Sequence, residues 1–256
     1  MAAGALDRVR EQVVKTTAVL GVVVLAPVER WIGRRSPVGD TPFYDPALFG
    51  WIAELERHWR EIRAELDVVL ADRDAIPPFQ EISVDQIDLC DDDRWKTYFL
   101  YGYGFEASEH TAACPRTAEL VRAVPGMRTA MFSILAPGKH IPHHRGPYKG
   151  VLRVHLGLIV PEPAASCRIR VGDELRHWRE GASIVFDDTY DHEVWNDTGG
   201  QRVVLFLDVV RPLTGIARHL NEALLWLIAH SPVIRDARRR HERWSAAVRA
   251  RRAAAA

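Results

Sequence analysis

The sequence predicts a mainly β protein, a sandwich or jelly roll with helices flanking it on both sides. Three observations predict this. From Arg128 onward, short runs rich in β-favouring residues recur at close, even spacing, as in two-layer β architectures. Turn signals divide them at Pro137-Gly138, Gly172-Asp173, Glu180-Gly181 and Gly199-Gly200. Before and after this region, apolar residues recur every three or four positions, the period of an amphipathic helix. A chain of 256 residues has room for one large β-domain with helices or for two small domains.

Taken in order, the chain opens with an apolar run, Val13 to Val28, followed by Glu29, Arg30 and Arg34-Arg35. The run is shorter than the roughly 20 residues of a spanning helix, and it contains Lys15. A membrane anchor, an amphipathic surface or packing helix, and a signal peptide are the three readings. An anchor flanked by Arg34 and Arg35 would leave the following domain on the cytoplasmic side. Residues 31–43 read as a linker. Asp45 then caps a helix whose first position is Pro46. Phe49, Ile52, Leu55, Trp59, Ile62, Leu66 and Leu70 predict a single amphipathic helix of about 25 residues. Glu54, Arg57, Glu61, Arg63 and Glu65 form its solvated side, and Pro77-Pro78 stops it.

Trp95 to Tyr103 reads as an aromatic strand and Pro115 to Val124 as a short helix. Strands are expected at Arg128–Leu135, Leu152–Val160, Cys167–Val171, Glu174–Trp178, Ala182–Phe186, Glu193–Asn196 and Arg202–Val210. Alternation puts Leu152, Val154, Leu156, Leu158 and Val160 on one face and Arg153 and His155 on the other. Arg202, Val204, Phe206 and Asp208 likewise share a face. Polar residues at period two within apolar strands are candidates for a cavity. After Pro212, Leu220, Leu224, Leu227 and Ile228 form a helical stripe beside Trp226. The basic stretch beyond Pro232 suits a helix on a membrane surface or a solvated tail. The expected division is 1–42, apolar segment and linker; 43–213, jelly-roll domain; 214–256, basic helical tail.

Charge excludes one class of partner. Lys+Arg and Asp+Glu both total 34, so no net field draws nucleic acid. Cys90, Cys114 and Cys167 form neither a close pair nor a zinc spacing, and reduced thiols are expected.

Two histidines and an arginine carry the chemistry. His144 lies in His143-His144-Arg145-Gly146-Pro147, His192 in the run Phe186 to Trp195, and Arg202 ten positions later. Imidazole is a good ligand for Fe(II), and a guanidinium fork suits a carboxylate. The segments Phe132–Pro147, Leu152–Leu158, Trp178–Gly181 and Phe186–Trp195 resemble the aspartyl/asparaginyl β-hydroxylase family, which includes bacterial lipid A hydroxylases. Trp95-Lys96-Thr97-Tyr98 is similar to an upstream strand of that group.

The resemblance implies a double-stranded β-helix (jelly-roll) core with Fe(II) held by His144 and His192. It implies 2-oxoglutarate held by Arg202 with Ser133 and His155, and an acidic substrate group contacted by Arg153. It implies a dioxygenase that consumes O2 and turns 2-oxoglutarate into succinate and carbon dioxide while hydroxylating an unactivated C–H bond. The β-carbon of an aspartyl or asparaginyl residue is the leading substrate. A lipid A or other acyl chain at a membrane surface is the alternative, and a non-catalytic jelly-roll binder is the rival from another class. Small-molecule, peptide and lipid substrates all fit the family. One position departs from the wider oxygenase pattern. Gly146 stands where most such enzymes carry an acid two residues after the first histidine. The animal Asp/Asn hydroxylases share this glycine, whereas lipid A hydroxylases tend to keep the acid.

Overall fold

A computed structural model describes residues 27–82 and 92–255. Eleven strands form two antiparallel sheets among the described residues. They are β1 (Phe43–Tyr44), β2 (Trp95–Gly102), β3 (Phe105–Glu106), β4 (Met127–Leu135), β5 (Lys139–His144), β6 (Val151–Ile159), β7 (Cys167–Val171), β8 (Glu174–His177), β9 (Ser183–Phe186), β10 (His192–Asn196) and β11 (Arg202–Val210). The large sheet runs β1-β9-β6-β11-β4-β2-β3 and the small one β5-β10-β7-β8. From β4 to β11 the chain passes back and forth between the two sheets. That winding is the double-stranded β-helix, and the glycine and proline turns carry the chain across.

Period-two alternation gives the large sheet two different faces. Leu152, Val154, Leu156 and Leu158 of β6, with Val203, Leu205, Leu207 and Val209 of β11, face outward. There they pack on helices α2 (Ile52–Arg57), α3 (Trp59–Leu70) and α6 (Pro115–Arg122) through Ile52, Leu55, Ile62, Leu66 and Val121. The inner face contributes Met131, Leu135, Phe186, Val204 and Phe206, which meet Ile141, Ile169 and Val194 of the small sheet. Each such side chain, fully buried, stabilises by about 1.5–3 kcal/mol relative to exposure.

Further helices are α1 (residues 27–35), α4 (Phe79–Ile82), α5 (Ser108–Ala113), α7 (Gly215–Ala229) and α8 (Pro232–Ala255). Val28, Trp31 and Ile32 of α1 join Leu213, Ala217 and Leu225 in a separate apolar cluster. No described helix is long and apolar enough to cross a membrane. Most of the apolar run from Val13 lies outside the described residues, as does Cys90. Cys114 and Cys167 are free, buried thiols.

Several expectations need correction. The expected 25-residue helix is a 3-10 turn at Pro46–Leu48 followed by α2 and α3. Asp45 does cap the turn, its Oδ1 accepting from Ala47 N at 2.9 Å. The break falls at His58, which leaves helical geometry (φ −100°, ψ 13°). Its ring is held by Glu54 and Glu61 at 2.8 and 2.6 Å. Glu65 is not merely solvated: it accepts from the Arg116 and Thr117 amides, both at 2.8 Å. It thereby caps the start of α6, where orphan amides and the helix dipole favour a carboxylate. The basic stretch is a helix packed on the protein. Trp244 Nε1 donates to Ala75 O at 2.9 Å, His241 is buried, and Arg249 and Arg252 pair with Glu109 and Asp72. Strand β5 lies outside the expected strands and carries Pro142, a residue that argues against a strand in a sheet interior. It lies at the edge of its sheet, where proline costs no ladder bond.

Candidate active site

Sheet register brings the two histidines together. His144 ends β5, His192 begins β10, and the two are direct cross-strand partners. Their ring centroids are 4.0 Å apart. Each ring is fixed by a carbonyl two residues earlier. His144 Nδ1 donates to Pro142 O at 2.8 Å, and His192 Nδ1 donates to Tyr190 O at 3.0 Å. A carbonyl can only accept, so Nδ1 carries the proton and Nε2 keeps its lone pair. Backbone carbonyls orient metal-ligating imidazoles in this way. His143 points outward instead, its side chain 76% exposed and 3.5 Å from Asp191.

Burial, reinforced by His192, holds His144 at a pKa of about 3. Burial and then Arg153 hold His192 at about 4. Both are neutral near pH 7, as a ligand must be. Burial also holds His110 at about 4 and keeps His155 well below the usual imidazole value. These shifts fix a sign. The unfolded chain takes up protons near pH 6.5, and the native state does so only at much lower pH. The stability contribution is complete above about pH 6.5 and is lost as pH falls toward 4. The metal-free protein is therefore expected to melt at steadily lower temperature between pH 7 and pH 4.5, roughly the histidine window. A flat profile of melting temperature against pH would contradict neutral burial of these rings.

From the imidazole pair, aromatic contacts lead to a second polar cluster. His192 lies 5.9 Å from Phe186, Phe186 lies 5.0 Å from His155, and His155 lies 6.0 Å from Trp178. The Arg202 guanidinium sits over the Trp178 ring at 4.5 Å. Arg202 is 1% exposed, and neither its Nε nor its Nη1 has a hydrogen-bond partner. Both His155 nitrogens and Trp178 Nε1 are also unpartnered. Burial lowers the guanidinium pKa to about 10. Taking such a cation out of water costs several kcal/mol unless an anion compensates. Ser133 faces the same interior one strand away and accepts from Trp95 Nε1 at 3.1 Å.

The nearby aspartates do not neutralise Arg202. Asp187 binds Arg211, lies 2.9 Å from Lys149 Nζ, and accepts from Thr189. Asp188 lies 2.8 Å from Arg153. Arg153 is shared with Asp208 at 3.0 Å and lies over Phe206 at 4.4 Å. Two buried carboxylates thus already face the arginine expected to meet an acidic substrate.

Asp188 has a place in the site that its sequence position does not announce, because its neighbour at Gly146 lies far away in the chain. Its backbone O accepts from Gly146 N at 2.6 Å. A Cβ at position 146 would overlap the Asp188 carboxylate. The space beside the first histidine is thus filled from the β9–β10 turn, and glycine at 146 is what allows it. Burial pushes the Asp188 carboxyl pKa up, against the attraction of Arg153. Gly146→Asp is expected to lower stability by about 2 kcal/mol or more through overpacking and like-charge burial. It should also weaken iron retention. A folded Gly146→Asp protein that binds iron more tightly would contradict this packing.

Among the described residues no group of three or more His, Cys, Asp or Glu side chains is placed to hold a metal. The donor set is two neutral imidazoles. Such a pair of neutral imidazoles suits a transition-metal ion. The orphaned Arg202, His155 and Trp178 groups suit a carboxylate.

A family model described as aspartyl/asparaginyl beta-hydroxylase matches residues 56–212. An ornithine lipid ester-linked acyl 2-hydroxylase from Rhizobium tropici is 49% identical over 211 residues, which cover 82% of this chain and 75% of that protein. The aspartyl/asparaginyl beta-hydroxylase of Homo sapiens is 32% identical over 180 residues, 67% of this chain but 23% of that protein. Among solved structures, the Cupin_2 domain of an XRE family transcriptional regulator from Enterobacter cloacae aligns with 45% of this chain and 96% of its own, with TM-score 0.30 and 16% identity.

Proposed function

Since the chain belongs to the aspartyl/asparaginyl β-hydroxylase family and is a hydroxylase in kind, we propose that it is an Fe(II)- and 2-oxoglutarate-dependent dioxygenase that hydroxylates a lipid acyl chain. The observation that carries the cofactor reading is Arg202, a buried cation with no acidic partner among the described residues. In this reading Arg202 forks the distal carboxylate of 2-oxoglutarate, with Ser133 and His155 beside it. His144 and His192 hold Fe(II) through Nε2. Bound iron supplies oxygen activation coupled to oxidative decarboxylation of the keto acid. The chain's own residues orient the ligands, keep both imidazoles neutral and exclude water. Residues 43–213 are the proposed catalytic unit, on the cytoplasmic side of a membrane with which the protein associates through its flanking segments.

The lipid is favoured by the relative that aligns over most of both chains, an acyl hydroxylase. Arg153 points the same way. An acidic substrate group would have to compete with Asp188 and Asp208 for it. Hydroxylation of an aspartyl or asparaginyl residue is the second reading, supported by the family itself. A non-catalytic binder of an anion could use Arg202 but would leave the paired neutral imidazoles, His144 and His192, without a task.

Full-length protein with Fe(II), 2-oxoglutarate and air should be offered an ornithine-lipid fraction and, separately, an Asp/Asn-containing peptide. The lipid is expected to gain the mass of one oxygen in step with succinate release. Oxygen gained by the peptide alone would move the assignment to the second reading. Absence of succinate with both would overturn the oxygenase reading.

A further inference from the structure

One flank of α7 has no partner among the described residues. Its inner side, Ala217, Asn221 and Leu225, is buried. Asn221 ties it to the segment that follows His144. Tyr148 OH donates to Asn221 Oδ1 at 2.7 Å, and Asn221 Nδ2 donates to Gly150 O at 2.9 Å. The open flank carries Ile216, Leu220 and Leu227, which are 80%, 38% and 57% exposed. Their spacing of four and seven places them in one stripe along the helix. Trp226 lies beside it, 60% exposed, its ring 4.3 Å from that of His230. Scattered exposed apolar residues are ordinary, but a contiguous stripe with a tryptophan marks a contact surface.

The charge around this stripe says what it contacts. Helix α1 packs beside α7 through Val28, Trp31 and Ile32 and leaves Arg34 and Arg35 exposed to solvent. An apolar stripe with a tryptophan beside it and arginines on the neighbouring helix matches an anionic bilayer surface. Acyl chains take the apolar groups, the headgroup layer takes tryptophan, and lipid phosphates attract the guanidinium groups. The apolar part of α8, by contrast, is occupied by protein through Trp244 and His241.

We infer that α7 and α1 together form the face with which this chain lies on an anionic bilayer. Ile216, Leu220 and Leu227 enter the acyl boundary, Trp226 sits at headgroup depth, and the α1 arginines meet phosphate. Asn221 couples that face to the segment after His144, so docking brings the candidate site to the lipid. The inference rests on the membrane association proposed above, and the experiment separates the two.

Full-length protein is mixed with phosphatidylglycerol–phosphatidylcholine vesicles, with and without brominated acyl chains. The protein should sediment with the vesicles at low salt. Brominated chains should quench its tryptophan emission, and Trp226→Phe should lose a large part of that quenching while sedimenting normally. A Leu220→Asp, Leu227→Asp double variant should bind vesicles at least about tenfold more weakly with an unchanged melting temperature, since both positions are exposed. Failure of the wild-type protein to sediment would overturn the membrane association and this inference with it. Normal sedimentation with undiminished quenching in Trp226→Phe and unweakened binding by the double variant would overturn the α7 face alone. A dimer in sedimentation velocity that the double variant dissociates would assign the stripe to a second copy and overturn the bilayer reading.

Discussion

Replacing His144 or His192 by alanine is expected to remove iron binding and to lower succinate formation at least about a thousandfold, roughly 4 kcal/mol in barrier. The size follows from the donor set. With two proposed protein ligands and no third side chain placed to substitute among the described residues, losing one would leave a single imidazole. Iron content after anaerobic loading is the direct readout. His143→Ala serves as the control, because its exposed ring faces Asp191 and its loss should leave iron unchanged. Near-normal iron in either His144→Ala or His192→Ala, or loss of iron in His143→Ala, would reject the assignment.

Replacing Arg202 by methionine is expected to produce two effects of opposite sign. Affinity for 2-oxoglutarate should fall at least about tenfold, equivalent to 1.4 kcal/mol, as the fork to its carboxylate disappears. Stability without cosubstrate should rise by roughly 1–4 kcal/mol, since an uncompensated buried cation gives way to an apolar side chain of similar size. In the wild type, 2-oxoglutarate should raise the melting temperature by linkage, and in Arg202→Met this rise should largely vanish. A structural ion-pair arginine would behave differently. Its removal would strand a buried carboxylate, lower the melting temperature and leave cosubstrate affinity alone. Calorimetry and thermal melts on the same two proteins distinguish these outcomes.

Much of this was legible in the chain itself, for identifiable reasons. Strands β6 and β11 announce themselves because one face is continuously apolar while Arg153, His155, Arg202 and Asp208 interrupt the other. The histidine pair is legible from its motif segments, and the β5–β10 register explains why residues 48 positions apart (192 − 144) meet. Other features depend on contacts that no local pattern encodes. Strand β5 is hidden by Pro142, which only an edge position tolerates. The solitude of Arg202 depends on Asp187 being held by Arg211 and Lys149, and on Asp188 facing Arg153. Before those partners are known, Asp187 and Asp188 are equally good partners for Arg202. The place of Asp188 at Gly146 is likewise invisible until the β9–β10 turn folds over the end of β5. Glu65 looks like one more charge on a solvated helix face, and only the approach of α6 turns it into a cap.

In the proposed site, the imidazole pair and the orphaned arginine together take iron and 2-oxoglutarate. Anaerobic titration of the full-length protein with 2-oxoglutarate, with and without Fe(II), tests it most directly. Calorimetry reads binding, and a visible charge-transfer band reads contact between keto acid and metal. One 2-oxoglutarate per chain should bind saturably, with a band that requires Fe(II), His144 and His192, and with an affinity that collapses in Arg202→Met. Equal affinity in wild type and Arg202→Met, or binding that never produces the band in iron-loaded protein, would contradict it.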